Sequence, residues 1–314
     1  MRKLGKYICF AAAVALIGCL SGCNFGWKTS YIYQNGDKYV AGDREITEKI
    51  ETIDLDYLSG DVTLTGTDAS TVTIRETSEK QLDDQRKVHT WVDGTTLYVR
   101  YCASAKGLDV NFLKKNLEIQ LPADVKLSDV KVKVSSGDLT YKDLEAENVN
   151  VHASSGDVEV SGAAKKMDLQ VSSGDLTVNQ RGDSEEIKLK TSSGEIFVNA
   201  ENAGVLDVHS SSGKVKVEAK SVKEFRSKIS SGAGEYKFAS EPETIDVSHS
   251  SGSATFYLPK ESNLTGEFKA SSGKLSYDLA FSKNGDNYVC GNGANLMKVH
   301  VSSGNIEVKG IDGE

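Results

Sequence analysis

Four carboxylates, Asp138, Asp157, Asp175 and Glu195, each follow a Ser-Ser-Gly tripeptide directly, in four consecutive occurrences of it. If those occurrences stack, the carboxylates fall in a row about 4.8 Å apart. A row of oxygen ligands is the chemistry of Ca²⁺, a hard cation that gathers roughly six to eight of them. The row lacks the Gly/Asp-dense turns of calcium-binding β-rolls, and lysines four positions before the Gly stand near enough to offset its charge. The expected reading is therefore a solvated acidic edge with no bound metal, and no cofactor is expected elsewhere.

Ser, His and Asp recur, so a hydrolytic constellation is easy to imagine. His152, His209 and His300 all lie four residues before the Gly, a slot otherwise filled by Lys133, Gln170, Lys190, Lys228, Ser248 and Lys269. Such a slot faces water, and neither a Gly-x-Ser-x-Gly elbow nor an HExxH helix is present. His249 stands three before the Gly, among apolar residues. A one-residue shift of that strand is the expected reason, with a ligand role as the alternative. Arg181-Gly182-Asp183-Ser184 matches the integrin-binding tripeptide, but Gly-Asp is ordinary turn chemistry. Tyr236, Phe256 and Tyr277 fall in an inward slot and are assigned to the core, while Tyr257 points outward. A polysaccharide lyase or hydrolase would need a cleft with paired carboxylates and exposed aromatics, which leaves that enzyme reading as the alternative.

What must position these residues is a repeat. Ser-Ser-Gly occurs nine times, with its Gly at Gly137, Gly156, Gly174, Gly194, Gly213, Gly232, Gly252, Gly273 and Gly304, in steps of 19, 18, 20, 19, 19, 20, 21 and 31 residues. Leu58-Ser59-Gly60-Asp61 is a degenerate further copy. A period of this size marks a solenoid, in which each unit buries its apolar face only against its neighbours. Before the Gly the apolar residues stand at odd offsets, as in Val130, Val132 and Val134; after it they stand at even offsets, as in Leu139 and Tyr141. An uninterrupted strand cannot change parity, so the chain bends at the Gly. Each unit is then strand, corner, strand and polar return, and stacking gives parallel sheets. Serine ladders at the corners are expected to hydrogen bond to one another and to nearby backbone. Whether the return adds a third face is left open by the spacing.

The predicted fold is all-β, a parallel β-helix-like solenoid with Ser-Ser-Gly corners over residues 129–314 and an antiparallel capping region over 46–128. Thr71–Arg75, Val88–Val92 and Thr96–Tyr101 supply the cap strands, the last two joined at Asp93-Gly94, a strong hairpin signal. Residues 23–45 are expected to be a tether, or a small hairpin at Asn35-Gly36-Asp37, outside the cap.

Residues 1–22 read as a signal peptide: Arg2, Lys3 and Lys6 precede an apolar run from Tyr7 to Leu20 that is too short to span a bilayer, where about 20 residues are needed. Leu20-Ser21-Gly22-Cys23 resembles the bacterial lipoprotein processing site, which implies lipidation at Cys23 and attachment to the extracytoplasmic face of the cell membrane. Removing that segment also removes three basic residues, making a chain of formal net charge −8 still more acidic. Nucleic acid is excluded as a partner on that ground. Cys102 and Cys290 are expected on the order of 40 Å apart, at about 4.8 Å per rung. A disulfide tolerates about 7 Å between Cα atoms, so both should be free.

The lone copy Leu58-Ser59-Gly60-Asp61-Val62, the strand ending at Leu121-Pro122, the Ser-Ser-Gly-Asp units and the closing stretch from Gly293 to Ile306 resemble the bacterial "putative adhesin" β-strand-repeat family. The resemblance covers about residues 46 to 310 and carries no catalytic motif. It implies an envelope protein, some relatives being tied to envelope-stress systems. The expected function is non-enzymatic: a lipoprotein presenting a rigid solenoid to a protein or cell-wall partner.

Overall fold

The computed structural model describes residues 29–110 and 113–312, and its regular structure is β-strand apart from a 3-10 turn at Gly36–Lys38. Long strands such as Leu139–Ser155, Val158–Ser173, Leu176–Ser193, Ile196–Ser212 and Val215–Ser231 each run from one corner to the next and pair in parallel, in register, with the rung before and after. The return stays extended. It buries one or two residues per rung, Leu144, Gly162 and Ala164, Gln180 and Ser184, Ala200 and Ala203, Ala219 and Val222, so a narrow third side closes the core. Irregular pairing at Lys142/Leu144, Gly162/Lys166 and Gln180/Asp183 absorbs the unequal repeat lengths there.

The corner is held by three columns. Gly137, Gly156 and Gly174 have φ of 127°, 113° and 136°, a region that glycine alone enters freely. A β-carbon at each would be driven onto the carbonyl oxygen of the preceding corner glycine, so the ladder packs backbone on backbone. Beside it runs a hydrogen-bonded carboxylate ladder: Asp138, Asp157, Asp175 and Glu195 donate their backbone N–H to the carboxylates of Asp61, Asp138, Asp157 and Asp175 at 3.2, 2.9, 2.8 and 2.8 Å. The corner serines differ from expectation. Their main chain carries the bonds, as in Gly174 N–H to Ser193 C=O at 3.0 Å, and their hydroxyls, turned to solvent, make no mutual hydrogen bonds among the described residues.

The stack begins earlier than residue 129. Thr52–Ser59 and Val62–Thr67 form a full rung paired in parallel with Lys126–Ser136 and Leu139–Ser155. One more parallel layer, Thr96–Arg100 and Lys115–Pro122, lies outside it. Lys115 stands at that layer's corner, its carbonyl where a glycine carbonyl would be, and Asn116 accepts the Asp61 N–H at 3.1 Å. Antiparallel pairing starts only beyond, in Val72–Ser78 and His89–Asp93. Residues 29–45 are not an outlying tether either. Thr29–Tyr31, Val40–Ala41 and Arg44–Ile46 pair with Ala105–Leu108, His89–Asp93 and Val72–Ser78, since otherwise those edges would leave their backbone groups unpaired.

The last rungs stack out of chain order. Thr244–Ser251 pairs with Asn295–Ser303, not with Leu264–Ser272, which packs on the far side of Asn295–Ser303. The spatial order of corners is therefore Gly252, Gly304, Gly273. Tyr277 belongs to the terminal rung and is exposed, contrary to its expected place in the core, because nothing stacks beyond it to cover an inward slot. The hairpin Ser282–Asn284 with Asn287–Val289 fills the excursion, and Val289 and Tyr288 pair with Thr265 and Gly266 of that rung.

Candidate functional site

The outer face before the corner is written in columns. Six residues before each corner glycine, in spatial order, stand Asp54, Lys131, Asn150, Asp168, Lys188, Asp207, Arg226, Asp246, Lys298 and Glu267, each paired across strands with the next. No two like charges adjoin, and except at the neutral Asn150 each rung boundary sets opposite charges side by side. Two positions nearer the corner the pattern is different: after Asp56 of the Gly60 rung, Lys133, His152, Gln170, Lys190, His209, Lys228, Ser248, His300 and Lys269 follow with no further acid. The three histidines and four lysines lie on solvent as the slot argument expects, with the half-buried Gln170 between them. Among the described residues Lys190, Lys228 and Lys269 make no ion pair, whereas Lys133 meets Asp56 at 3.8 Å and His209 meets Asp207 at 3.0 Å. Rigid strands thus hold a basic stripe beside the hydroxyls of the corner serines.

Two open clefts flank this face. The first, about 950 Å³, lies between residues 46–51, 70–72 and 122–128 and the return edge at Glu145–Glu147 and Ala163–Lys165. Two of its carboxylates are closely paired, Glu51 with Lys49 at 2.6 Å and Glu147 with Lys165 at 2.7 Å. The second, about 770 Å³, sits under the terminal hairpin between Tyr288, Asp286, Asp246 and His300, and its Glu267 meets Lys298 at 3.6 Å. Among the described residues no group of three or more His, Cys, Asp or Glu side chains is arranged to hold a metal, and no helix is long and apolar enough to cross a membrane.

The tripeptide in the return is tied down. Arg181 meets Asp143 at 3.4 Å, the Gly182 N–H donates to Glu201 at 2.7 Å, and Asp183 accepts from Asn202 at 2.9 Å. Tyr257 faces outward beneath the Lys309 ammonium, 5.4 Å from its ring centroid. Cys102 and Cys290 are both buried and free. Cys23 lies outside the described residues.

His249 is a correction. It pairs in unbroken register with Ile229 and Val301, so no shift of the strand explains it. It is 1% exposed, and its Nε2 lies 2.9 Å from the Tyr236 hydroxyl, which is 2.7 Å from Ser227 Oγ. Three departures from the apolar pattern, Ser227, Gly234 and His249, thus converge on one buried hydroxyl. Gly234 supplies the room, since a β-carbon there would strike that hydroxyl. Burial drives the His249 pKa from 6.5 down to about 4, the Gly252 and Ser253 peptide groups offsetting it only in part. The unfolded chain therefore takes up a proton before the folded one does. His249 adds to stability above pH 6.5, and that contribution, about 3 kcal/mol at most, is lost as pH falls from 6.5 towards 4. Denaturation midpoints of wild type and His249→Gln across this window check it: the advantage of wild type should shrink on acidification, and a constant difference would contradict a neutral buried imidazole.

The sequence reading missed another buried group. Lys115 Nζ, its side chain wholly covered, lies 2.8 Å from Glu76 Oε1 and 4.0 Å from the Tyr101 ring centroid. Glu76 also accepts the Tyr57 hydroxyl at 2.9 Å and the Val88 N–H at 2.8 Å, while Lys115 donates to the carbonyls of Arg86 and Tyr101. Burial lowers the Lys115 pKa and Glu76 works against that. The only sequence signal was a Lys at the corner slot of the layer before Gly60.

Stack, corners and columns define a parallel β-solenoid repeat protein. The chain belongs to the DUF4097 Toastrack family, whose family model matches residues 50–309. Solved structures similar to it include a "putative adhesin" from Parabacteroides distasonis, 16% identical over 84% of this chain and 95% of that one with a TM-score of 0.49. Others are a "putative lipid binding protein" from the same species (14%, 86% and 96%, TM-score 0.45) and a "putative adhesin" from Parabacteroides merdae (15%, 90% and 100%, TM-score 0.37). No curated protein matches the chain.

Proposed function

We propose that the protein is a non-enzymatic envelope lipoprotein, held at the extracytoplasmic membrane face by acyl chains on Cys23, that presents its solenoid to an acidic cell-wall or protein partner. The observation that carries this is the acid-free Lys/His column from Lys133 to Lys269, one side chain per rung on a rigid face. A partner with charges repeated along its length would meet such a column with several weak contacts at once, which add through effective concentration. The alternative, a polysaccharide-active enzyme, would need two carboxyls facing a substrate across one cleft; Glu51, Glu147 and Glu267 are each tied to a lysine instead.

One fractionation tests both halves. Wild type should stay with membranes and retain isolated cell-wall material. Cys23→Ala should be released or left unprocessed. Lys190→Glu/Lys228→Glu/Lys269→Glu should remain on membranes and lose the wall. Membrane binding of Cys23→Ala like wild type would sink the anchor, and undiminished wall retention by the triple variant would sink the contact face.

A further inference from the structure

The N-terminal end of the stack carries an aromatic cluster unlike the polar faces of the repeats. Tyr33 and Tyr39 have ring centroids 5.9 Å apart, Tyr39 and Trp91 5.7 Å, and Trp91 stacks on Tyr98 at 5.2 Å and 18°. Cations rim it: Lys38 Nζ lies 5.0 Å from the Trp91 ring centroid, and the Arg100 guanidinium 5.5 Å from that of Tyr98. Ile32 and Val40, each next in sequence to one of these tyrosines, are 62% and 52% exposed. With Tyr277 they are the large apolar side chains that the described residues leave most open to solvent. Exposed aliphatic residues beside Trp and Tyr, rimmed by Lys and Arg, are the composition of a surface seated at lipid headgroups, where amphipathic rings and long cationic chains meet both phases.

Chain length says what lies against this patch. The described chain starts at Thr29, three residues before Ile32, and Cys23 is six residues before Thr29. Six residues reach about 20 Å at full extension. Anchored at Cys23, this end of the solenoid cannot leave the bilayer by more than that distance, whereas the far end stands many rungs away.

We propose that the patch formed by Ile32, Tyr33, Tyr39, Val40, Trp91 and Tyr98 docks on the phospholipid bilayer that holds the acyl chains. Docking fixes the angle at which the solenoid projects from the membrane. The proposal rests on the anchoring of Cys23, and the test separates the two. Only two tryptophans occur in the chain, Trp27 and Trp91, so Trp27→Phe leaves Trp91 as the sole reporter. The full lipidated Trp27→Phe chain is reconstituted in phosphatidylcholine vesicles doped with lipid brominated high on its acyl chains, and the vesicles are floated. Trp91 emission should be lost to the brominated lipid and shielded from acrylamide in the water. Adding Ile32→Asp and Val40→Asp, both at exposed positions, should restore the emission and the acrylamide quenching while the chain still floats. A chain that floats with Trp91 open to acrylamide and untouched by bromine overturns the docking and leaves the anchor standing. Equal bromine quenching in the Asp variant also overturns it, and a chain that does not float overturns the anchor and the docking together.

Discussion

Glu76→Gln is expected to destabilise the fold by about 3–5 kcal/mol, the range for breaking a buried ion pair from one side. The substitution leaves one acceptor oxygen where the carboxylate offered Oε1 to the Tyr57 hydroxyl and Oε2 to the Val88 N–H, and it removes the charge opposite Lys115, whose side chain is wholly covered. An ammonium without a counter-ion must then be neutralised or hydrated inside the cap, the direction in which burial already pushes it by lowering its pKa. Lys115→Met alone should be costly for the mirror reason, leaving the Glu76 carboxylate uncompensated. The double variant Lys115→Met/Glu76→Gln removes both charges, keeps one acceptor oxygen at residue 76, and puts an apolar chain against Tyr57 and Tyr101. It should fall well short of the sum of the single effects, by on the order of 2 kcal/mol. Urea denaturation of the four proteins gives the coupling directly. Additive costs would mean that the pair does not interact as drawn.

The second large effect is expected at the corner. Gly174→Val asks a β-branched residue to adopt φ near 136° and drives its β-carbon onto the Gly156 carbonyl. Backbone strain alone costs about 1–3 kcal/mol. Relieving the overlap would move one rung off the next and loosen the Gly174 N–H bond to Ser193 and the Asp157–Asp175 bond beside it, so the upper part of that range or beyond is expected. His209→Ala, on the exposed column, should cost less than about 0.5 kcal/mol. Chemical denaturation of both beside wild type is the comparison. A silent Gly174→Val, or a more damaging His209→Ala, would mean that the corner is not what fixes the stack.

Much of this architecture was legible because it is local. Val130, Val132 and Val134 before the corner and Leu139 and Tyr141 after it carry their own alternation, and all five are buried as that parity requires. The same rule marked His249 as inward but supplied the wrong reason. A register shift explains one polar residue at a time, whereas Ser227, Gly234 and His249 make sense only as a set around the Tyr236 hydroxyl. The carboxylate ladder was legible as a row, but its work was not: Asp157 and Asp175 accept backbone N–H groups from the next rung, which a residue pattern cannot display.

By itself the sequence determined the period, the corner and the two faces of each strand, since apolar alternation and glycine's access to positive φ act within a single repeat. Only the tertiary structure decided which rung lies on which. Any corner can stack on any other with the same backbone bonds, so the inversion that places Gly304 between Gly252 and Gly273 is invisible to the repeat. It is consistent with the charges, because chain order would set Asp246 against Glu267, whereas the observed order puts Lys298 between them. The cap was decided in the same way: Lys115 and Glu76 stand 39 residues apart, and their ammonium and carboxylate acquire meaning only when folding removes water from both.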